Sequence, residues 1–88
     1  MNKNKLPKWF DGVVYETGET VKNPFSNEEF YLNNIELSMY DFIIGASMVI
    51  EASYNQGISV PQKLLDEHRK GLNWFRLNNP QAYMTLLD

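Results

Sequence analysis

Residues 37–50 read LSMYDFIIGASMVI, with ten of fourteen positions apolar and one aspartate and one glycine set among them. A membrane span needs ~18 or more uninterrupted apolar residues, and this stretch is shorter and carries Asp41. It reads instead as the body of a buried helix. Upstream, Asn33-Asn34-Ile35-Glu36 fits a capping box: the asparagine side chain accepts from the amide three residues on, and Glu36 reaches back. Downstream, Asn55-Gln56-Gly57 supplies an exit with Gly57 as the left-handed cap. The signals predict a helix over about 34–54, roughly 30 Å long at 1.5 Å per residue.

Apolar residues occupy most of that helix's circumference. Ile35, Met39, Phe42, Ala46 and Val49 line one side, and Leu37, Tyr40, Ile44 and Met48 another. Glu36, Asp41, Ser47 and Glu51 leave a narrow, broken polar strip. A surface helix normally has one apolar stripe, so a helix apolar nearly all round is covered on more than one side. The expectation is a homodimer through the 34–54 helix, with Leu37, Tyr40, Ile44, Gly45 and Met48 at the interface. The alternative is coverage within one chain, by a hairpin on one side and a second helix on the other. Gly45 and Gly71 both fall inside predicted helices, where glycine costs ~1 kcal/mol relative to alanine. Close approach of another backbone at one or both glycines is the simplest reason for keeping them.

The rest of the chain supplies candidates for that cover. Val13–Glu16 reads as a short strand and Thr17-Gly18-Glu19 as a turn. Thr20–Lys22 and Phe30–Leu32 read as two further strands joined across NPFSNE, where Asn23-Pro24 starts the turn. Ser59-Val60-Pro61-Gln62 predicts the start of a second helix ending near Asn78, with Leu64 or Leu65, His68, Leu72 and Phe75 on its apolar stripe. Asn79-Pro80 caps a short third helix, Gln81–Leu87. The predicted fold class is α+β: a short N-terminal β-hairpin or meander, two long helices and a short C-terminal helix. Residues 1–10 are expected to form a flexible basic tail, its end pinned by Trp9 and Phe10, and residues 11–88 a single domain.

Eighty-eight residues suffice for one small core, and without cysteine neither disulfides nor thiolate metal sites can reinforce it. That leaves helix packing and oligomerisation. The chain is 43% hydrophobic and 14% aromatic, too apolar to be disordered throughout. Charge is uneven: residues 1–10 carry a net +3 and the remainder a net −6. An acidic body argues against broad nucleic-acid binding, which needs cations to replace phosphate counterions. Lys3, Lys5 and Lys8 are the residues that would make nucleic-acid contacts in the alternative reading. MNKNKLPKWF lacks the apolar middle region of a secretion signal, so the expected location is the cytoplasm, with no membrane attachment.

Chemistry-bearing patterns are sparse. His68, the only histidine, stands in Asp66-Glu67-His68-Arg69-Lys70, and its unperturbed pKa suits a general base. No serine motif, cysteine or glycine-rich loop accompanies it, so it reads as a packed, hydrogen-bonded residue. A metal would require Asp41, Glu51 or Glu67 to join His68, and no ligand spacing for that is present. Paired catalytic carboxylates lie within ~10 Å of each other. Ten residues of helix put Asp41 and Glu51 about 15 Å apart. A solvated strip, or pairing with Arg69 or Arg76 across an interface, fits them better. Trp74, Phe75 and Tyr83 are expected in the core. No catalytic residue, cofactor or metal is predicted.

The succession of VKNPFS, ELSMYDFIIGA and the closing LNWFRLNNPQAYMTLLD resembles small uncharacterised proteins of marine T4-like bacteriophages, over about Val13 to Asp88. That resemblance carries no assigned activity and no functional residues. It implies action in the cytoplasm of an infected bacterium. The expected function is a non-enzymatic, homo-oligomeric accessory protein that binds another, unidentified protein.

Overall fold

A computed structural model describes residues 5–87, in the order β1 (Glu19–Lys22), β2 (Glu29–Leu32), α1 (Asn34–Asn55), α2 (Gln62–Asn78) and α3 (Pro80–Leu86). This is the expected α+β arrangement of a hairpin, two long helices and a short C-terminal helix. The strands pair antiparallel, with Glu19 opposite Leu32 and Lys22 opposite Glu29. Alternation sends Val21, Phe30 and Leu32 inward, and Leu32 is completely buried. A two-stranded ribbon is marginal alone. Here β2 leans chiefly on α3 and touches the start of α1, so it is not the main cover of the long helix.

The capping box forms as read. Asn33 Oδ1 accepts from the Glu36 amide at 2.8 Å, and Glu36 Oε1 accepts from the Asn33 amide at 3.0 Å. Glu36 also accepts from Asn79 Nδ2 at 2.9 Å, and Asn79 in turn caps α3 by accepting from the Ala82 amide. One carboxylate thus ties the start of α1 to the α2–α3 junction. At the far end Gly57 takes φ 71°, the left-handed conformation expected after the helix. The helix start read at Ser59-Val60-Pro61-Gln62 does not use Ser59 as its cap. Pro61 occupies the N-cap position of α2, with no side-chain cap hydrogen bond, and the helix opens on Gln62.

The core joins Leu32, Met39, Ile43, Phe75, Ala82 and Leu86. Met39 and Ile43 face α2, and Gly71 lets that approach happen. A Cβ on Gly71 would stand 3.2 Å from Ile43 Cγ1 and 3.3 Å from Met39 Sδ. The expectation of a close helix contact therefore holds at Gly71. Gly45 behaves differently: a Cβ there would meet nothing within 4 Å.

Residues 13–16 are not a strand. The segment has no regular structure, and the Tyr15 backbone groups are met by side chains of α1. The Tyr15 amide donates to Ser38 Oγ at 2.9 Å, and its carbonyl accepts from Asn34 Nδ2 at 3.2 Å. Buried backbone groups need partners, and these two side chains stand where a neighbouring strand would. Ser38 is itself buried and donates to the Asn34 carbonyl at 2.7 Å. Before this strap, Leu6, Trp9 and Phe10 are half-buried against the core. The Trp9 and Phe10 rings lie 5.8 and 5.7 Å from that of Phe42, the first tilted and the second edge-on, within the 4.5–7 Å range of aromatic pairs. The second cover of α1 is thus the N-terminal segment. No helix among the described residues is long and apolar enough to cross a membrane.

Candidate functional site

With α2 on one flank of α1 and the N-terminal strap on another, a third sector is left open. An apolar groove of about 350 Å³ runs along it. Phe42, Gly45, Ala46 and Val49 form its floor, Gly12 and Val13 one wall and Leu64 the other. Val13 is 66% exposed and Val49 53%. Next to it, Met48 is 67% exposed and shares a shallower depression of about 250 Å³ with Glu51, Ala52 and Asn55. Single exposed apolar residues are ordinary, whereas a contiguous, concave set marks a binding surface.

Among the described residues, Asp41 is the only charged one lining the groove. Its Oδ2 accepts a hydrogen bond from the Tyr15 hydroxyl at 3.0 Å, which closes the strap over the helix. That hydrogen bond raises the Tyr15 phenol above its ordinary value of 10.0, because ionising the phenol would break it beside a carboxylate. Asp41 therefore has a structural partner within its own chain. Arg69 pairs with Asp66 at 3.7 Å and Arg76 donates to Asn73 Oδ1, both along α2 itself. Such exposed pairs contribute little.

The five residues expected at an interface separate into two groups. Leu37 and Tyr40 are half-buried against the core, with the Tyr40 ring 6.3 Å from that of Phe75. Burial raises the Tyr40 phenol above its ordinary value. Ile44 is half-buried, while Gly45 and Met48 are exposed. The open strip is thus Asp41, Gly45, Met48 and Val49, rotated toward the groove from the face first read. Lys5 and Lys8 are exposed on the N-terminal segment. Lys3 lies outside the described residues.

One contact between chemistry-bearing residues was not legible. Ser47 Oγ lies 2.7 Å from His68 Nε2, linking the middles of α1 and α2. Partial burial holds His68 below its ordinary value of 6.5, which favours the neutral ring. A serine with a neutral histidine is two-thirds of a nucleophilic triad. The surroundings do not complete it: both residues sit mid-helix, where backbone amides are committed to helix carbonyls and none is aimed at a developing oxyanion. The pair works as an interhelix hydrogen bond. Asp41 and Glu51 do not converge on His68, and no group of three or more His, Asp or Glu among the described residues could hold a metal ion.

Val13 and Leu64, read in the sequence as strand and helix-stripe residues, are groove walls, and Tyr15 and Ser38 hold the strap; sequence reasoning gave none of the four a site role. Their contacts join positions more than twenty residues apart, and no local pattern announces them. No protein-family profile matches the chain, and no curated protein or solved structure matches it significantly.

Proposed function

We propose that this protein is a non-enzymatic accessory protein that self-associates through the open strip of α1 and works by binding another protein. Gly45 carries this reading. A glycine inside a helix costs ~1 kcal/mol against alanine, and a close neighbour normally offsets it. Gly71 has such a neighbour and Gly45, near the midpoint of α1, has none within 4 Å among the described residues. Exposed Met48 and Val49 stand close to it in the helix, and Gly45 itself lines the groove. A second copy supplies the missing neighbour, because a two-fold contact needs only one self-complementary patch. The mid-helix setting of Ser47 and His68 supports a binding role over a catalytic one.

Sedimentation velocity tests the reading. At micromolar concentration the chain is expected to sediment as a species of twice 10.3 kDa. Gly45→Leu is expected to return it to the monomer, with a melting temperature no lower than wild type when both are measured dilute enough to be monomeric. A wild-type monomer at every concentration up to ~100 µM, where even weak specific pairs associate, sinks it.

A further inference from the structure

Residues 11–18 cross α1 as a strap with fixed ends. At one end the Phe10 ring packs edge-on to that of Phe42 and lies against Gly12, where a Cβ would stand 2.8 Å from Phe10 Cζ. At the other end Glu19 enters the ladder opposite Leu32, and a Cβ on Gly18 would strike the Leu32 carbonyl oxygen. Between these ends little holds the strap down. No apolar side chain of residues 11–18 packs on the core, and Val13 and Val14 are 66% and 56% exposed. Among the described residues, every hydrogen bond that the strap makes belongs to Tyr15. Its amide donates to Ser38 Oγ, its carbonyl accepts from Asn34 Nδ2 and its hydroxyl donates to Asp41 Oδ2. Asn34, Ser38 and Asp41 follow one another at steps of four and three residues, which puts them on one stripe of α1. The strap is fastened at one residue.

Net of competition from water, a hydrogen bond is worth about a factor of five in an equilibrium. Three of them favour the closed strap by roughly 100-fold, whereas a whole domain favours its fold by several thousandfold or more. A segment with so few buried apolar contacts opens far more often than the fold that carries it. We propose that residues 11–18 are a gate on the α1 groove, released at Tyr15 as a single latch and opening while the hairpin and helices stay packed. Gly12 and Val13 make one wall of the groove, and Ser38 and Asp41 also line it. Release of Tyr15 moves that wall and frees the Asp41 carboxylate and the Ser38 hydroxyl in the same event. The open state joins the apolar groove to the polar stripe of Asn34, Ser38 and Asp41. The gate is a property of one chain and stands whether or not α1 self-associates.

A thiol placed at the latch tests it. The chain has no cysteine and Ser38 is 1% exposed, so Ser38→Cys puts a single reactive group where the strap covers it. An aromatic disulfide reagent should label this thiol at least tenfold more slowly than a free one. The rate should stay flat up to about 1 M urea, because opening the strap exposes little new surface. Adding Tyr15→Phe, which removes one of the three bonds, should speed labelling about fivefold. Adding Ile43→Val, which weakens the core by a similar factor, should leave the rate unchanged. Amide hydrogen exchange on the wild-type chain, followed by NMR, gives the same answer without a substitution at the latch. The Tyr15 amide should exchange faster than that of buried Phe75 and ignore urea, while the Phe75 amide accelerates with it. If Tyr15 exchange rises with urea in step with Phe75 and quickens on Ile43→Val, the strap moves only with the whole fold and the gate is wrong. A wild-type Tyr15 amide that exchanges at the rate of an unfolded peptide also overturns it, since the latch is then not closed.

Discussion

The two helical glycines of this protein occupy opposite situations. Gly71 lies in the seam between α2 and α1, close enough to Ile43 and Met39 that a Cβ would press on both. Gly45, on the other side of α1, faces empty space. In sequence they are the same feature, a glycine amid helix formers. The difference teaches that such a residue reports a close approach without saying to what. At Gly71 the approaching body belongs to the chain, and at Gly45 we assign it to a second copy.

The sharpest way to break this contrast is to fill the two sites. Gly71→Leu should lower unfolding free energy by about 3 kcal/mol in urea titrations, since an overpacked core forces side chains off their rotamers. A loss under about 1 kcal/mol would mean the seam is loose. Next in size is the strap. Ser38→Ala removes the partner of the Tyr15 amide and should cost about 1–2 kcal/mol. Limited proteolysis should then cut first between residues 11 and 18. Gly45→Ala tests the other side, measured at concentrations low enough to keep the chain monomeric. With nothing to clash, the change should stabilise the fold by up to ~1 kcal/mol through helix propensity alone. A decrease would show that Gly45 has a neighbour within the protomer.

The smallest effect concerns the seam's own polar contact. His68 is held below its unfolded value of 6.5, so the fold favours the neutral ring. The contribution is present above pH 6.5 and is lost as pH falls, because the unfolded chain binds the proton more readily. Between about pH 6.5 and 5, before carboxylates titrate, the melting temperature should fall more steeply for wild type than for His68→Gln. Parallel curves would mean the ring titrates alike in both states.

Where the chain signals locally, the sequence reading and the structure agree. The Asn33–Glu36 box, the Gly57 exit and the Asn79 cap each depend on side chains within four residues, and each formed. Val13–Glu16 misled because β-branched and aromatic residues favour an extended backbone without specifying its partner. The partners turned out to be the side chains of Ser38 and Asn34, about twenty residues away. At Ser59, proline two positions later moved the helix start beyond the reach of the serine hydroxyl. The face of α1 was ambiguous for a related reason. A helix apolar around most of its circumference gives periodicity no preferred direction, so Leu37 and Tyr40 were grouped with Met48 although they serve the core. The groove itself is made of residues 12–13, 38–49 and 64, an assembly that only the folded chain brings together.

Glu36 gives the molecule a long-range coupling. Its two carboxylate oxygens serve the start of α1 and the start of α3, positions separated by 43 residues of chain. A seven-residue helix is far too short to persist alone. When α3 lets go, the cap of the longest helix loses its brace in the same event. Trimming the C-terminal turn should therefore be felt first in the exchange of amides at residues 33–36. The two ends of the helical layer open and close as one cooperative unit.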